Sequence, residues 1–155
     1  MKYDVEQILS DLETIFKTYF NNKIIALNTE KSDSITLEQI NLNAYFMDMD
    51  DAAINYDPFI LFEISDLNSD GIGPGTSKNI TVNFALVLND NGQDQFIVKR
   101  MLRYQRCMEE IIEDNFQSLK CDILKIESLP VLSFQRANES LRYKIVGINI
   151  NSSIS

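Results

Sequence analysis

Apolar residues recur at helical spacing over two long stretches of the chain. In the first stretch, spacings of three and four residues place the apolar side chains on one wide helical face. These positions are Ile8, Leu9, Leu12, Ile15, Phe16, Tyr19 and Phe20. Asp4 followed by Gln7 resembles a capping box, so Asp4 is expected to accept hydrogen bonds from the first turn. Asn21-Asn22 weakens the pattern, and residues 23–31 are predicted to form a further helical stretch before a polar loop at 32–34.

The second stretch predicts a helix from about Asp94 to Asn115. Its apolar positions also share one face, which is expected to be buried. They are Ile97, Met101, Tyr104, Met108, Ile111 and Ile112.

The remaining apolar segments predict β-strands. Residues 58–64 form a nearly continuous apolar run. In residues 80–88, large apolar side chains alternate with Thr81, Asn83, Ala85 and Val87, which is typical of a strand with one buried face. Two further strands are predicted at 123–135, broken by Pro130, and at 141–151, with a bulge at Gly147 because the apolar positions change parity there. Residues 42–47 look extended.

The order of helix, strands, helix and strands predicts a single α+β domain over residues 1–155. Its expected architecture is an antiparallel sheet with two main helices packed on one face. A long polar loop near 65–78 contains Gly71, Gly73, Pro74 and Gly75, and is predicted to lack regular structure.

Composition narrows the possible functions. The chain has no histidine, so it cannot build a Ser-His or Cys-His nucleophile or a histidine-ligated zinc site. Its formal charge of −9 argues against broad binding to a nucleic-acid backbone. The N-terminus lacks an apolar signal region, no apolar run approaches the roughly 18 residues of a membrane span, and the two cysteines are expected to be reduced in an intracellular protein.

The charges are unevenly distributed along the chain. Residues 1–98 hold 16 acids and 5 lysines, whereas residues 99–155 hold 7 acids and 9 basic residues, including all five arginines. Such asymmetry favours head-to-tail association of identical molecules. An acidic surface that serves only solubility is the alternative interpretation.

Two acidic segments are candidate cation or catalytic sites. Residues 66–71 reproduce the first half of a calcium-binding loop, but Ser77 stands where a bidentate glutamate should close the site, which favours an ordinary turn. The second segment is an acidic cluster with no basic residue beside it, which favours a solvated or partner-facing loop. The cluster comprises Asp48, Asp50, Asp51 and Asp57. We therefore predict no catalytic residue, cofactor or metal, and no enzyme activity.

Four segments resemble small bacteriophage neck proteins, the group of tail terminators, tail-completion proteins and head–tail connectors. They are the first helix leading to residues 26–31, the extended residues 43–47, the strand entry at 56–62, and residues 80–82 with the later Leu102-Arg103-Tyr104. Together they span roughly residues 5–115. Acidic residues at 48–51 replace the aromatic or small residues that are usual at this place in that group. The resemblance therefore does not identify the neighbouring protein that this segment would contact.

The resemblance implies a structural virion protein that is assembled in the host cytoplasm. Such proteins form a ring of identical subunits at the head–tail junction and contact neighbouring neck, portal or tail proteins, with no role at a membrane. DNA passes through the ring without sequence readout, and an anionic lumen would let it slide. The alternative is a cytosolic small-ligand binding module or small enzyme with its pocket between sheet and helices.

The charge order of the second helix suggests a subunit interface. Its first half is basic and its second half acidic, which opposes the helix dipole, so an isolated subunit is expected to gain little from it. Lys99, Arg103 and Arg106 share one face. We predict that this face contacts an acidic surface of a neighbouring subunit, with Asp48, Asp50 and Asp51 as candidates; a solvated helix with locally paired charges is the alternative.

Overall fold

A computed structural model of the chain describes residues 4–40, 59–69, 71–73, 75–90, 92–121, 123–135 and 142–154. Over these residues the elements are α1 (Val5–Lys31), β1 (Phe59–Ser69), β2 (Lys78–Asp90), α2 (Ile97–Asn115), β3 (Ile123–Gln135) and β4 (Arg142–Ile154). The described strands form an antiparallel sheet in the order β1-β2-β4-β3, and both helices pack on one of its faces. The predicted α+β class is confirmed. The extended segment predicted at 42–47 and the acidic cluster at 48–57 lie outside the described residues.

Helix α1 is continuous from end to end. Asp4 caps it as predicted, because its Oδ1 accepts a 2.9 Å hydrogen bond from the Gln7 amide. The helix passes through Asn21-Asn22 without a break and ends at Ser32, a left-handed residue with φ of 45°. The apolar stripe continues to its end, and its buried residues are Ile8, Leu12, Ile15, Phe16, Phe20, Ile24 and Leu27.

Helix α2 begins at Ile97, three residues later than predicted. The Asp94 carboxylate accepts a hydrogen bond from the Phe96 amide at 2.9 Å, so Asp94 organises the turn before the helix. All six predicted inward positions are buried, and Gln105 and Cys107 are buried beside them. Neither described helix combines the length and apolar content that crossing a membrane requires.

Residues 65–69 are strand and not loop, which corrects the predicted start of the polar loop. Strand β1 shifts its register between Ile64 and Asp66 and then pairs with β2 as far as Ser69, opposite Lys78. A β-bulge of this kind lets a strand continue after its alternation is interrupted. The residues from Asp66 to Ser69 are therefore extended, and do not form the turn that a calcium loop requires.

The predicted bulge at Gly147 is wrong. Strand β4 pairs with β2 without interruption from Arg142 to Ile154, so the apolar residues on both sides of Gly147 simply occupy opposite faces of the sheet. The register shift lies instead in β3, between Leu129 and Leu132, at the predicted break around Pro130. Proline has no amide hydrogen to donate to a β-ladder, which explains the position of the bulge.

The core joins strands β1 and β2 to α1 through aromatic packing. Phe16 stacks on Phe84 with ring centres 4.5 Å apart and planes inclined by 6°. Phe62 meets Phe84 edge-to-face, also at 4.5 Å. All three rings are at most 1% exposed. Aromatic pairs with these geometries contribute about 0.5–1.5 kcal/mol beyond the area that they bury.

Gly147 is required by close packing between β4 and β2. A Cβ atom at this position would lie 2.2 Å from the carbonyl oxygen of Phe84 and 3.3 Å from a methyl carbon of Leu129. The carbonyl belongs to the sheet backbone and has little room to move. We expect Gly147→Ala to lower the free energy of unfolding by about 2–3 kcal/mol, as other overpacked cores do.

Urea denaturation would measure this loss. Asn149→Ala, two residues further along the same strand, is the matched control and should change stability much less. Equal effects of the two substitutions would contradict the packing argument.

Candidate functional site

The three residues of the predicted basic face of α2 differ in their surroundings. The Lys99 side chain is exposed. Arg103 and Arg106 instead turn toward the C-terminal end of α1, where acidic residues of the same chain meet them. Asp48, Asp50 and Asp51, the proposed partners on a neighbouring subunit, lie outside the described residues. The structure thus supplies partners for two of the three basic residues within one subunit.

Arg103 makes the more enclosed of these contacts. Its two terminal nitrogens donate to the two oxygens of Asp33 at 3.0 and 2.5 Å, and one of them also reaches the Ile35 carbonyl at 2.7 Å. The hydrogen bond from Arg103 lowers the pKa of Asp33 to about 2. The same bond raises the pKa of Arg103. The pair is thus charged over the whole physiological pH range.

Arg106 lies between acids of both helices. It donates two hydrogen bonds to Glu30, at 3.1 and 3.0 Å, and one to Glu110 at 2.6 Å. Glu110 in turn pairs with Lys23 at 2.8 Å. Burial would raise the pKa of Glu110, but the hydrogen bonds from Lys23 and Arg106 outweigh it and lower that pKa.

These contacts explain the charge order of α2, which opposes the dipole of the helix when the helix is taken alone. Helix α1 runs antiparallel to α2, so the acidic C-terminal end of α1 lies beside the basic first half of α2, and Lys23 lies beside the acidic second half. The alternative of locally paired charges therefore describes Arg103 and Arg106, whose partners lie in the same subunit. The partial negative charge at the end of α1 also favours nearby arginines.

Residues 35–40, which form neither helix nor strand, follow the turn after α1 and are tied to both helices; we call this segment the strap. From α1, the Asn28 side chain accepts from the Leu37 amide at 2.8 Å and donates to the Leu37 carbonyl at 2.9 Å. Asn21 binds both backbone groups of Ile40 in the same way, at 2.9 and 3.2 Å. Each asparagine thus replaces the two hydrogen bonds that a neighbouring strand would supply.

Helix α2 holds the strap from the opposite side. Arg100, Arg103 and Tyr104 donate to the carbonyls of Thr36, Ile35 and Glu38 respectively, the last at 2.7 Å. The strap side chains that are buried are Ile35, Leu37 and Ile40. Backbone groups beside a core need such partners, because an unpaired buried group costs about 1–3 kcal/mol.

The sequence alone does not predict that Asn21 and Asn28 clamp the strap. In the sequence, Asn21 only weakens the helical pattern, and Asn28 is one polar residue among others. Their spacing of seven residues, close to two helical turns, was the available signal, because it puts two amides on one face beside the apolar stripe. The signal was ambiguous, since exposed asparagines at this spacing look the same in a sequence.

The described residues offer little reactive chemistry. They contain no group of three or more His, Cys, Asp or Glu side chains that could hold a metal ion. Burial raises the pKa of Cys107 to about 12, so this thiol is protonated at neutral pH and is a poor nucleophile. Comparison with protein-family models finds no match, and no curated protein matches the chain.

The Asn28 clamp can be tested by removing its amide. Asn28→Ala leaves the amide and carbonyl of Leu37 without their partners, so we expect a loss of about 2 kcal/mol in the free energy of unfolding. Hydrogen exchange at the Leu37 amide should accelerate at the same time. The exposed neighbour Asn22→Ala is the matched control, and a comparable loss there would contradict the assigned role of Asn28.

The Asp33–Arg103 pair predicts a pH dependence. The pKa of Asp33 is about 2 in the folded chain, below its ordinary value of 3.8, so the folded state favours the charged carboxylate. The resulting stabilisation is present above pH 3.8 and is lost as the pH falls toward 2. NMR titration of the Asp33 carboxyl should show this low pKa, and Arg103→Gln should return it toward 3.8. An unchanged pKa in that variant would rule out Arg103 as the cause.

Proposed function

We propose that this chain is a structural subunit of the bacteriophage neck, of the tail-terminator, tail-completion or head–tail connector type. Identical subunits would form a ring at the head–tail junction, contact neighbouring neck, portal or tail proteins, and let DNA pass without reading it. In this proposal the chain is part of the virion and has no enzymatic role. The sequence resemblance supports the proposal, and the α+β fold is compatible with it.

The observation that carries the proposal is the exposure of large apolar side chains on two opposite sides of the sheet. On the β1 side, Leu67 is 52% exposed and Ile72, in the following loop, is fully exposed. On the β3 side, Phe116 and Leu132 are 48% and 53% exposed. Two different apolar surfaces suit a head-to-tail contact, which generates rings when the rotation between subunits closes.

Charge is compatible with a ring through which DNA passes. The chain carries a formal charge of −9, with 23 acidic and 14 basic residues. This acidic excess fits a lumen that repels DNA.

The proposal predicts concentration-dependent assembly. Native mass spectrometry at a series of concentrations should show oligomers of defined stoichiometry, and electron microscopy should show rings. A chain that remains monomeric at every concentration and does not enter assembled particles would contradict the proposal.

Lys99 is the basic residue with which to test the predicted α2 interface. Arg103→Glu or Arg106→Glu would also break ion pairs inside the subunit. Lys99 is exposed, so its charge can be reversed without breaking those ion pairs. We expect Lys99→Glu to weaken assembly about tenfold while leaving the urea midpoint unchanged. Lys31→Glu, an equal charge change at an exposed end of α1, is the control. If Lys99→Glu assembles as well as the wild-type chain, Lys99 is not part of the interface.

A second candidate function is supported by a groove between α2 and β3. It has a volume of about 720 Å³ and is lined by Phe116, Leu119, Cys121 and Ile126, with Glu113 and Lys125 also contributing. This volume lies within the range of about 300–1,000 Å³ that is usual for small-ligand pockets. A stable monomer whose melting temperature rises with a small molecule would favour the ligand-binding module over the ring.

A further inference from the structure

A row of polar side chains crosses the sheet face opposite α1 and α2, which we call the outer face. Phe84 packs against Phe16 of α1, so its neighbour Asn83 points to the outer face, because successive side chains of a strand alternate. Residues paired in register with Asn83 on the other strands share that face. From β1 to β3 the row consists of Glu63, Asn83, Asn149 and Glu127.

The two central members of this row have amide oxygens without a partner. The Oδ1 atoms of Asn83 and Asn149 are shielded from solvent, and within the described part of the chain neither accepts a hydrogen bond. A shielded acceptor that lacks a donor lowers stability, and such an atom calls for a bound water or ion. Because the two asparagines are directly paired, their amide dipoles also place partial negative charges on adjacent strands.

The next row along the strands shows what satisfies an amide on this face. There Thr81 of β2 pairs with Asn151 of β4, and the Thr81 hydroxyl donates to Oδ1 of Asn151 at 2.5 Å. The residue paired with Asn149 is a second asparagine and has no hydroxyl to donate. The unsatisfied oxygens are thus a property of the residues in this row and not of the outer face as a whole.

The two ends of the row differ in charge. Glu127 is held by Lys125 of the same strand, with Oε1 and Nζ 2.5 Å apart. Glu63, at the other end, is exposed and is paired in register with Asn83. A glutamate side chain is long enough to span one strand interval of about 4.8 Å, so the Glu63 carboxylate can lie over Asn83. One carboxylate and two amide oxygens can therefore converge above β2.

We propose that Glu63, Asn83 and Asn149 bind a hard divalent cation, Mg²⁺ or Ca²⁺, on the outer face of the sheet. Carboxylate and amide carbonyl oxygens are ligands that these ions take in proteins, and bound waters complete the coordination. A single ion also needs less room beside two shielded oxygens than the ammonium or guanidinium group of a partner protein. With only one carboxylate the site is weak, with a dissociation constant on the order of 1 mM. The site does not depend on the proposed ring and would exist in a monomer.

Titration with MgCl₂ and with CaCl₂ tests the site directly. The side-chain amide resonances of Asn83 and Asn149 should shift saturably in NMR spectra, whereas that of Asn151 should move much less. The melting temperature should rise by about 4 °C at about 10 mM of the preferred ion. NaCl of equal ionic strength is the control, because salt also screens the net charge of −9. If NaCl reproduces these changes, or neither divalent ion causes them, the proposed site is wrong.

Removing one carboxylate at a time identifies the charged ligand. Glu63→Gln keeps the size of the side chain but removes its charge, so it should weaken binding about tenfold or more. Glu127→Gln is the matched control at the other end of the row, where Lys125 already holds the carboxylate, and it should weaken binding less than about threefold. Both variants should keep the urea midpoint of the wild-type chain in EDTA. Equal weakening by the two substitutions would overturn the assignment of Glu63 and with it the site.

A gain of affinity gives an independent test. Asn83→Asp adds a second carboxylate to the site, so the ion should bind about tenfold more tightly. In EDTA this variant should be less stable than the wild-type chain, because the new carboxylate lies beside Glu63, and the ion should remove the difference. Asn151→Asp makes the same charge change in the adjacent row and should leave the affinity within about threefold. If Asn83→Asp gains no affinity and is not rescued by the ion, bound water alone satisfies the amide oxygens and the proposal is overturned.

Discussion

The antiparallel packing of α1 against α2 is the constraint on which the helical layer depends. It places the acidic end of one helix beside the basic beginning of the other, so that Arg103 and Arg106 reach Asp33 and Glu30. Individual exposed ion pairs contribute little, with typical values of about 0–1 kcal/mol. Together, however, these pairs link the two helices along one seam.

The same packing creates a place for the strap, outside the described sheet. A segment outside a sheet has no neighbouring strand to satisfy its backbone, and burial beside a core makes unsatisfied groups costly. Here asparagines of α1 supply both a donor and an acceptor to Leu37 and Ile40, while α2 supplies donors to three carbonyls. The strap is therefore part of the helical layer, and the two helices fix its conformation through side chains.

The two edges of the described sheet, β1 and β3, carry different surfaces. This asymmetry links the fold to the proposed assembly. The register shift at Pro130 and Val131 leaves the Leu129 carbonyl available to Gln105 of α2, which also donates to Gly147. These bonds anchor α2 over β4 and β3, and the end of α2 then forms one wall of the groove with Phe116. At the other side, the β1–β2 loop extends beyond the paired strands and presents Ile72.

The sequence by itself determined the element order, the α+β class, the cap at Asp4 and the buried faces of both helices, because apolar periodicity and capping are local properties. It did not determine the bulge, since the parity change at Gly147 fits both a bulge and a strand with two apolar faces. It also could not distinguish Asn21 and Asn28 from exposed asparagines, or assign Arg103 and Arg106 to partners more than 65 residues away. Only the tertiary structure decided these points, because hydrogen bonds and ion pairs between distant segments depend on which elements pack together.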